Sequence, residues 1–351
     1  MRPGVEVGPD PPTVVRMRRR RLLGLVATTS LVLAACGGDG NTVERSSDAT
    51  TEVTEAAEPT TTTTTTASAT TSTTTTAAPS TTVPDPRPAS AATPAELAER
   101  LAAAEAAVRD TATPDDALGR AAFEQQLLYR QLARTPDWEA EVTAALPEPY
   151  RQAAAANVEA RREFRSMHRT LSDTLPPWRI VEPPPVDVLL SYYQEAEATF
   201  GVPWEILAAV NLVETGMGRI RGVSVAGAQG PMQFMPATWA AFGDGGDVND
   251  YRDAIMGAAR YLAHNGGGRG EIDNALWNYN HSHRYVRGVK HYASVMEQDP
   301  NTYRGYHRWE IVYLSTMGDV WLPVGFESYE RVPVSDHLAR NPGHHLGTET
   351  G

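Results

Sequence analysis

The sequence of 351 residues predicts a mainly α-helical protein in which two helical regions follow a long non-globular start. Three observations indicate this fold class. Apolar residues recur at helical spacing through most of the chain after residue 93. Prolines and capping residues stand at the expected helix starts, and glycines stand at several expected ends. Runs of β-type residues occur only near the C-terminus, so we expect a small helical bundle, a larger helical domain and a C-terminal β-hairpin.

Residues 1–36 have the layout of a bacterial lipoprotein signal peptide. Four arginines at positions 18–21 precede an apolar run over 22–35 that is too short for a comfortable membrane span. The run ends in Leu-Ala-Ala-Cys, a lipobox, and Cys36 is the only cysteine, so no disulfide can form within the chain. We expect cleavage before Cys36, a lipid on its sulfur and a location at the outer face of the bacterial cell membrane. An ordinary secretory signal is the alternative, and Met17 is an alternative start.

Residues 37–93 are rich in threonine, serine, alanine, glycine and proline. This composition lacks the apolar side chains that would offset the entropy of ordering, so we expect a disordered tether. A tether of this length would let an anchored domain reach a target some distance from the membrane. The same composition also suits O-glycosylation.

Residues 94–175 are expected to form a small bundle of alanine-rich helices. The first begins at Thr93-Pro94, where the threonine caps the helix and the proline takes its first turn. Further helices are predicted over 114–133, 137–145 and 149–175. No catalytic combination of residues stands out, so we interpret this region as a spacer or docking module.

The next domain, residues 178–298, is predicted to begin with the helix Val186–Phe200 and to continue with a helix over 202–217. Glu214 lies on the apolar face of this second helix, four residues after Val210, and glycines end the helix just beyond it. Burial raises the pKa of a carboxyl group and keeps it protonated near neutral pH, as general-acid catalysis requires. A structural glutamate, paired with one of the arginines that follow the helix, is the alternative.

Two further blocks follow Glu214 at suitable distances. Residues 227–236 read Gly-Ala-Gln-Gly-Pro-Met-Gln-Phe-Met-Pro, and residues 277–280 read Trp-Asn-Tyr-Asn. A Glu-Thr pair at a helix end, then Gly-x-Met-Gln, then Tyr-Asn, resembles the lysozyme-like lytic transglycosylases of SLT type, which cleave peptidoglycan. The motifs are closest to membrane-bound lytic murein transglycosylase B-like and actinobacterial lipoprotein forms. The resemblance covers about residues 178–298 and implies a lysozyme-like helical catalytic domain.

The resemblance implies roles for individual side chains. Glu214 would be the catalytic residue. Met232 and Gln233 would contact the sugar beside the scissile bond, where the Gln233 amide can both donate to and accept from an acetamido group. Tyr279 would point its hydroxyl toward the catalytic carboxyl, and Asn280 would orient a loop or a sugar.

Trp277 has two interpretations, stacking on a pyranose face or filling the core. The sequence departs from the family pattern at Pro231, where many relatives have leucine, and at His281-Ser282, where many have a small residue and glycine. We expect the first departure to alter the local backbone and the second to alter the turn after Asn280.

Helices are also predicted from Pro236, over Tyr251–His264, over Ile272–Tyr279 and over 285–296. The acidic stretch 243–250 fails the calcium-binding EF-hand pattern, because a glycine takes the third ligand position. The histidines at 281, 283 and 291 lack the spacing of a zinc motif. We therefore expect neither a metal nor a cofactor.

The C-terminal extension, residues 299–351, contains two β-type runs, over 310–316 and 320–324, separated by Met-Gly-Asp. This pattern predicts a hairpin. The last stretch, 341–351, is expected to be disordered. The formal net charge of −12 gives no indication of nucleic-acid binding, which requires a basic patch.

The resemblance implies cleavage between N-acetylmuramic acid (MurNAc) and N-acetylglucosamine (GlcNAc) in the glycan strands of peptidoglycan, with formation of a 1,6-anhydro sugar. No second carboxylate stands in an obvious partner motif, unlike the usual pair of a glycosidase. Two alternatives stay open. The first is a muramidase that hydrolyses the same bond with help from Asp244, Asp247 or Asp250. The second is a non-catalytic peptidoglycan-binding scaffold lipoprotein.

Overall fold

A computed structural model describes residues 87–347. The predicted signal peptide, Cys36 and the tether up to residue 86 lie outside the described residues, as do residues 348–351. Within residues 87–347, no helix combines the length and the apolar character that crossing a membrane requires.

The described residues contain twelve α-helices and three two-stranded antiparallel sheets, in agreement with the predicted mainly α fold. The helices are α1 (Pro94–Arg109), α2 (Asp115–Arg134), α3 (Glu139–Ala145), α4 (Glu148–Met167), α5 (Val186–Phe200), α6 (Trp204–Thr215), α7 (Pro236–Phe242), α8 (Tyr251–His264), α9 (Ile272–Tyr279), α10 (His283–Gln298), α11 (Thr302–Arg308) and α12 (Val334–Arg340). The strands are β1 (Thr174–Leu175), β2 (Arg179–Ile180), β3 (Ile220–Arg221), β4 (Ile311–Ser315), β5 (Gly318–Leu322) and β6 (Val332–Pro333). Strand β1 pairs with β6, β2 with β3, and β4 with β5.

Most helix bounds differ from the predicted ones by a few residues, but α4 ends at Met167 instead of residue 175. The segment beyond it contains β1, in which Leu175 pairs with Val332 of the C-terminal extension. This partner is distant in sequence, so local helical spacing could not reveal it. The predicted hairpin is confirmed as β4–β5, with Tyr313 opposite Val320.

The start of the folded region also differs from the prediction. Residues 87–93 were assigned to the tether by composition, yet Ala91 is buried and exchanges backbone hydrogen bonds of 2.9 and 2.8 Å with the side chain of Gln131. A helix of the bundle therefore orders this backbone before the capping residue Thr93.

The bundle and the second helical region share one hydrophobic core. Helix α4 packs along α10, which in turn packs against α6. Phe164 of α4 stacks on Tyr292 of α10 at a ring-centroid distance of 5.7 Å and meets Tyr285 edge-on at 6.4 Å. Gly288 permits this approach, since a Cβ atom there would lie 2.5 Å from the Phe164 ring. The bundle therefore supports α10, the helix that carries Tyr285.

A second, smaller core joins the segment before α5 to the C-terminal extension. Trp178 is buried there and meets Tyr313 of β4 edge-on at 5.8 Å. Ile180 of β2 pairs with Ile220 of β3, directly after α6. The extension is therefore packed close to the loop that follows α6.

Residues 341–347 are ordered against β5, so the predicted disorder is wrong for this part of the tail. Leu346 donates a backbone hydrogen bond of 2.9 Å to Asp319, and Asp319 donates one of 3.0 Å to Gly347. A short 3-10 helix, Pro342–His344, precedes this contact. The order depends on pairing with a strand, which the composition of the tail does not encode.

Asp319 also ties the hairpin to the bundle through a buried ionic cluster. Its carboxylate accepts hydrogen bonds from Arg130 at 2.8 Å and Arg134 at 3.0 Å, and Arg161 lies 3.9 Å away. Burial alone would raise the pKa of Asp319, but the neighbouring arginines outweigh that effect and lower the pKa to about 2. The carboxylate therefore stays charged inside the protein and links β5 to α2 and α4.

Candidate active site

Helix α6 is enclosed by protein on every side. Residues 206–215 are all buried, because α5, α8 and α10 pack around them. Apolar spacing predicted the burial of one face only, since it cannot count the neighbours of a central helix. Gly216 ends the helix with a φ of +61°, and a Cβ atom there would overlap the side chain of Ile311.

The carboxyl group of Glu214 is completely buried, as predicted. Its Oε1 atom accepts a hydrogen bond of 2.7 Å from the hydroxyl of Tyr285, whereas Oε2 has no hydrogen-bond partner. Burial raises the pKa of Glu214 to about 8, against the opposing effect of the Tyr285 hydrogen bond. The group therefore keeps its proton at neutral pH, and Oε2 is its oxygen without a hydrogen-bond partner.

The arginines that follow α6 do not pair with Glu214. Arg219 lies 3.3 Å from Glu182, and Arg221 lies over the ring of Tyr251 at 4.4 Å from its centroid. The interpretation of Glu214 as half of a structural ion pair with either arginine is therefore wrong.

The hydrogen bond expected from Tyr279 comes instead from Tyr285. Tyr279 donates its hydroxyl to the carbonyl oxygen of Met232 at 2.6 Å, and its ring lies parallel to that of Tyr285 at 6.5 Å. Tyr279 makes no hydrogen bond to Glu214, because its hydroxyl donates to this backbone carbonyl instead. The sequence signal at Tyr285, an aromatic residue on the apolar face of α10, indicates burial but does not identify a partner.

Helix α10, which carries Tyr285, begins directly after His281-Ser282, where the sequence departs from the family pattern. The hydroxyl of Ser282 accepts a hydrogen bond of 3.4 Å from the backbone N–H of Tyr285 and caps α10. The turn after Asn280 thus fixes the distance between α9 and the first turn of α10.

The loop around Gln233 is held in a defined conformation. Gln229 and Phe234 exchange backbone hydrogen bonds of 2.9 and 2.8 Å, and Gln233 between them has a φ of +50°. The Nε2 atom of Gln233 donates to the carbonyl oxygen of Gly230 at 2.9 Å. The Oε1 atom has no hydrogen-bond partner, so this oxygen can accept a hydrogen bond from a ligand.

The same loop is attached to α6 through the carbonyl oxygen of Pro231. Asn211 and Thr215 donate to this oxygen at 2.8 and 2.6 Å. Thr215 directly follows Glu214 in the chain. The loop that carries Gln233 is therefore fixed to the helix that carries the buried carboxyl group.

Trp277 and Met232 lie in opposite environments. Trp277 is 37% exposed and meets His281 edge-on at a centroid distance of 4.4 Å, so its interpretation as a core residue is wrong. Met232 is completely buried. Its backbone carbonyl oxygen accepts the hydrogen bond of the Tyr279 hydroxyl.

Each of the three motif blocks of the sequence contains a buried polar atom without a hydrogen-bond partner. In residues 87–347, six buried side-chain polar atoms lack a hydrogen-bond partner, and three of them belong to Glu214, Gln233 and Asn280. Buried polar groups are normally paired, so an unpaired set at predicted binding residues is what a ligand-binding site shows before its ligand arrives.

The aspartates of the 243–250 stretch are exposed and bound elsewhere. Asp244 pairs with Arg260 at 3.0 Å, Asp247 accepts a hydrogen bond inside its own turn, and Asp250 caps α8 by accepting from Asp253 at 2.9 Å. In the part of the chain that the structure describes, no group of three or more His, Cys, Asp or Glu side chains could hold a metal ion.

Comparison with known families places a recognised domain over this site. The family model of the transglycosylase SLT domain matches residues 191–301, which include Glu214, the Gln233 loop and both Tyr279 and Tyr285. Searches of curated proteins and of solved structures found no match. The bundle and the C-terminal extension lie outside the matched range. Residues 191–301 therefore contain a transglycosylase SLT domain, which supports a lysozyme-like fold and lytic transglycosylase activity on peptidoglycan.

Proposed function

We propose that the protein cleaves the β-1,4 bond between MurNAc and GlcNAc and forms a 1,6-anhydro-MurNAc end, with Glu214 as acid and then as base. The single observation that carries this proposal is the state of Glu214. Its carboxyl group is fully buried, its pKa is raised to about 8, and its Oε2 atom is unpartnered. A carboxyl group in this state can both give and retake a proton near neutral pH.

The reaction starts with proton transfer from Oε2 of Glu214 to the glycosidic oxygen. The bond between that oxygen and the anomeric carbon of MurNAc then breaks, and GlcNAc leaves with a hydroxyl group. The acetamido carbonyl of MurNAc stabilises the positive charge at the anomeric carbon. Glu214, now a carboxylate, takes the proton of the MurNAc 6-hydroxyl while O6 attacks the anomeric carbon. Glu214 is reprotonated, and no water is consumed.

Tyr285 is the positioning residue in this scheme. Its hydrogen bond to Oε1 fixes the carboxyl group and stabilises the carboxylate formed in the first step. Gln233 and Asn280 bind the sugars through their unpartnered atoms, Met232 lines the site and Trp277 offers an exposed ring for stacking. Tyr279 holds the loop through the carbonyl oxygen of Met232.

The surroundings of the acidic residues favour the anhydro route over hydrolysis. A muramidase needs a carboxylate that positions a water molecule across the bond from the acid. The three aspartates considered for this role are exposed, and each is held by an interaction of its own loop or helix. The sugar's own 6-hydroxyl therefore takes the place of the water.

The predicted anchor and tether complete the proposal. A lipid on Cys36 would hold the protein at the outer face of the cell membrane, and residues 37–86 would span toward the wall. The bundle and the C-terminal extension would then act as fixed parts of the wall-directed region, since both pack against the catalytic helices.

The test is incubation of the full chain with purified peptidoglycan and mass spectrometry of the released fragments. We expect fragments lighter by one water than hydrolysis products, and none from Glu214→Gln. The matched control is Glu205→Gln, which changes a glutamate in the first turn of the same helix and should release wild-type fragments. Hydrated reducing ends would replace the proposal with a muramidase. Binding without release by the wild type would favour a scaffold lipoprotein.

A further inference from the structure

A cleft of about 690 Å³ adjoins the Gln233 loop and has no part in the mechanism above. Gly230, whose carbonyl oxygen accepts the Gln233 hydrogen bond, lies in its wall. Arg179 lies on one side and Tyr329 on another, and both belong to segments outside the SLT domain match. The cleft is therefore formed jointly by the catalytic domain, the segment before α5 and the C-terminal extension.

Two arginines face each other in this cleft. Arg179 of β2 and Arg221 of β3 are directly opposite in the antiparallel register, a placement in which like charges destabilise a sheet. Arg221 donates to the carbonyl oxygen of Asn249 at 3.1 Å. In residues 87–347, no salt bridge involves either arginine, and none of the side chains that line the cleft is acidic. The cleft is therefore locally positive, although the chain as a whole has a formal net charge of −12.

The nearest acidic residue along this sheet is directed elsewhere. Glu327 pairs with Arg179 through the backbone, but its carboxylate accepts the hydrogen bond of the Tyr329 hydroxyl. Tyr329 itself is 82% exposed. The cleft is thus lined by the exposed Arg179, the partly exposed Arg221, whose guanidinium also packs on Tyr251, and an exposed aromatic ring.

We propose that this cleft binds a carboxylate of the peptide that branches from MurNAc, and so makes the enzyme prefer glycan strands that carry stem peptides. The inference rests on the proposed function, because it takes peptidoglycan as the ligand. Guanidinium groups bind carboxylates with paired, charge-assisted hydrogen bonds. The glycan itself is uncharged once its lactyl groups bear peptides, so the stem carboxylates are the anions next to the sugar site.

The experiment measures binding rather than turnover, in the Glu214→Gln background. Purified peptidoglycan, freed of phosphate-bearing polymers, is compared with bare strands, from which an amidase has removed the stem peptides and in which the lactyl carboxylates exposed by that hydrolysis have been capped as methylamides. We expect Arg179→Gln with Arg221→Gln to weaken binding to immobilised stem-bearing strands about tenfold, the loss of a charge-assisted contact, and to leave binding to immobilised bare strands unchanged.

The matched control is Arg120→Gln, an exposed arginine of α2 paired with Asp116, which should change binding to neither polymer. Because Arg221 packs on Tyr251, the single variant Arg179→Gln is tested as well. That exposed change should retain the wild-type melting temperature and still lower binding to stem-bearing strands only.

Equal weakening on both polymers would overturn the inference and make the arginines part of the glycan or structural contacts. Unchanged binding to both would overturn it too, as would a loss seen only when phosphate-bearing polymers are left in place. The measurement does not depend on bond cleavage. If the wild type hydrolyses the bond or is inactive, the proposed reaction is wrong, but the binding result is unaffected. Failure of Glu214→Gln to bind either polymer would overturn both.

Discussion

The hydroxyl of Tyr285 donates a 2.7 Å hydrogen bond to Oε1 of Glu214, and this contact is the only hydrogen bond that the carboxyl group makes in residues 87–347. It joins α10 to the end of α6. Because it stabilises the carboxylate more than the acid, it works against the burial that raises the Glu214 pKa. The helix α10 therefore sets how readily this buried group releases its proton.

Replacing Tyr285 by phenylalanine should lower kcat/KM about 10- to 100-fold, the value of one hydrogen bond to a charged group. The rate of the wild type should fall as pH rises above about 8, because the acid is then lost. Without the hydrogen bond the Glu214 pKa rises further, so this alkaline limb should move to higher pH. Rates measured between pH 5 and 10 test both effects.

Tyr303→Phe is the matched control for Tyr285→Phe. Tyr303 is equally buried, but its hydroxyl donates to the backbone of Val186 at 3.2 Å. Its removal should leave the pH profile unchanged. An alkaline limb that stays in place in Tyr285→Phe would contradict the assigned role of Tyr285.

Glu214→Gln should stabilise the protein at pH 8 and not at pH 4. The folded pKa of Glu214 is raised from 4.5 to about 8, so between these values the unfolded chain loses a proton that the folded one keeps. Stability of the wild type therefore falls as pH rises through this window, by on the order of 3 to 5 kcal/mol at most. The glutamine variant lacks this titration. Denaturant unfolding at pH 4, 6 and 8 should show a gap that widens with pH, whereas a constant gap would mean that Glu214 is not protonated in the folded state.

Gly230→Ala should displace the Gln233 loop and lower activity at least about tenfold, because a mispositioned binding group carries a cost of that order. Gly230 has a φ of +74°, and a Cβ atom there would overlap the backbone carbonyl oxygen of Val248. Gly245→Ala separates backbone strain from the steric clash. Gly245 has a φ of +80°, but no heavy atom lies within 4 Å of the Cβ atom that the substitution adds. Both variants bear the backbone strain, and only Gly230→Ala bears the clash. Equal activity and equal melting temperatures in the two variants would argue against the clash.

Asp319→Asn should destabilise the protein by about 3 to 5 kcal/mol, because it removes the buried negative charge that pairs with Arg130 and Arg134. Asp116→Asn removes an exposed carboxylate from a pair with Arg120 and should cost about 1 kcal/mol or less. Denaturant unfolding of both variants at pH 7 measures the difference. A loss for Asp319→Asn no larger than that of the control would show that the cluster does not hold the hairpin to the bundle.

Local patterns were reliable where a side chain's environment follows from its own helix. The predicted bounds of α5, α8 and α9 agree with the structure, and the burial of Glu214 follows from its place among apolar residues of α6. The pattern was unreliable where a partner comes from far along the chain. Local spacing predicts a helix at Leu175 and composition predicts disorder after residue 340, whereas both segments are ordered by backbone pairing with distant residues.

The sequence by itself indicated the SLT-type domain, the fold class and the burial of Glu214, since the three ordered motif blocks and their spacing are properties of the chain. Tertiary structure alone decided that Tyr285 and not Tyr279 reaches the carboxyl group, that Trp277 is exposed, and that the segment before α5 and the C-terminal extension close a cleft beside the Gln233 loop. The physical reason is that hydrogen bonds and clefts arise from which helices and strands pack together. Residue spacing along a helix identifies its apolar face. Which side chains contact that face depends on how the helices and strands pack in the folded protein.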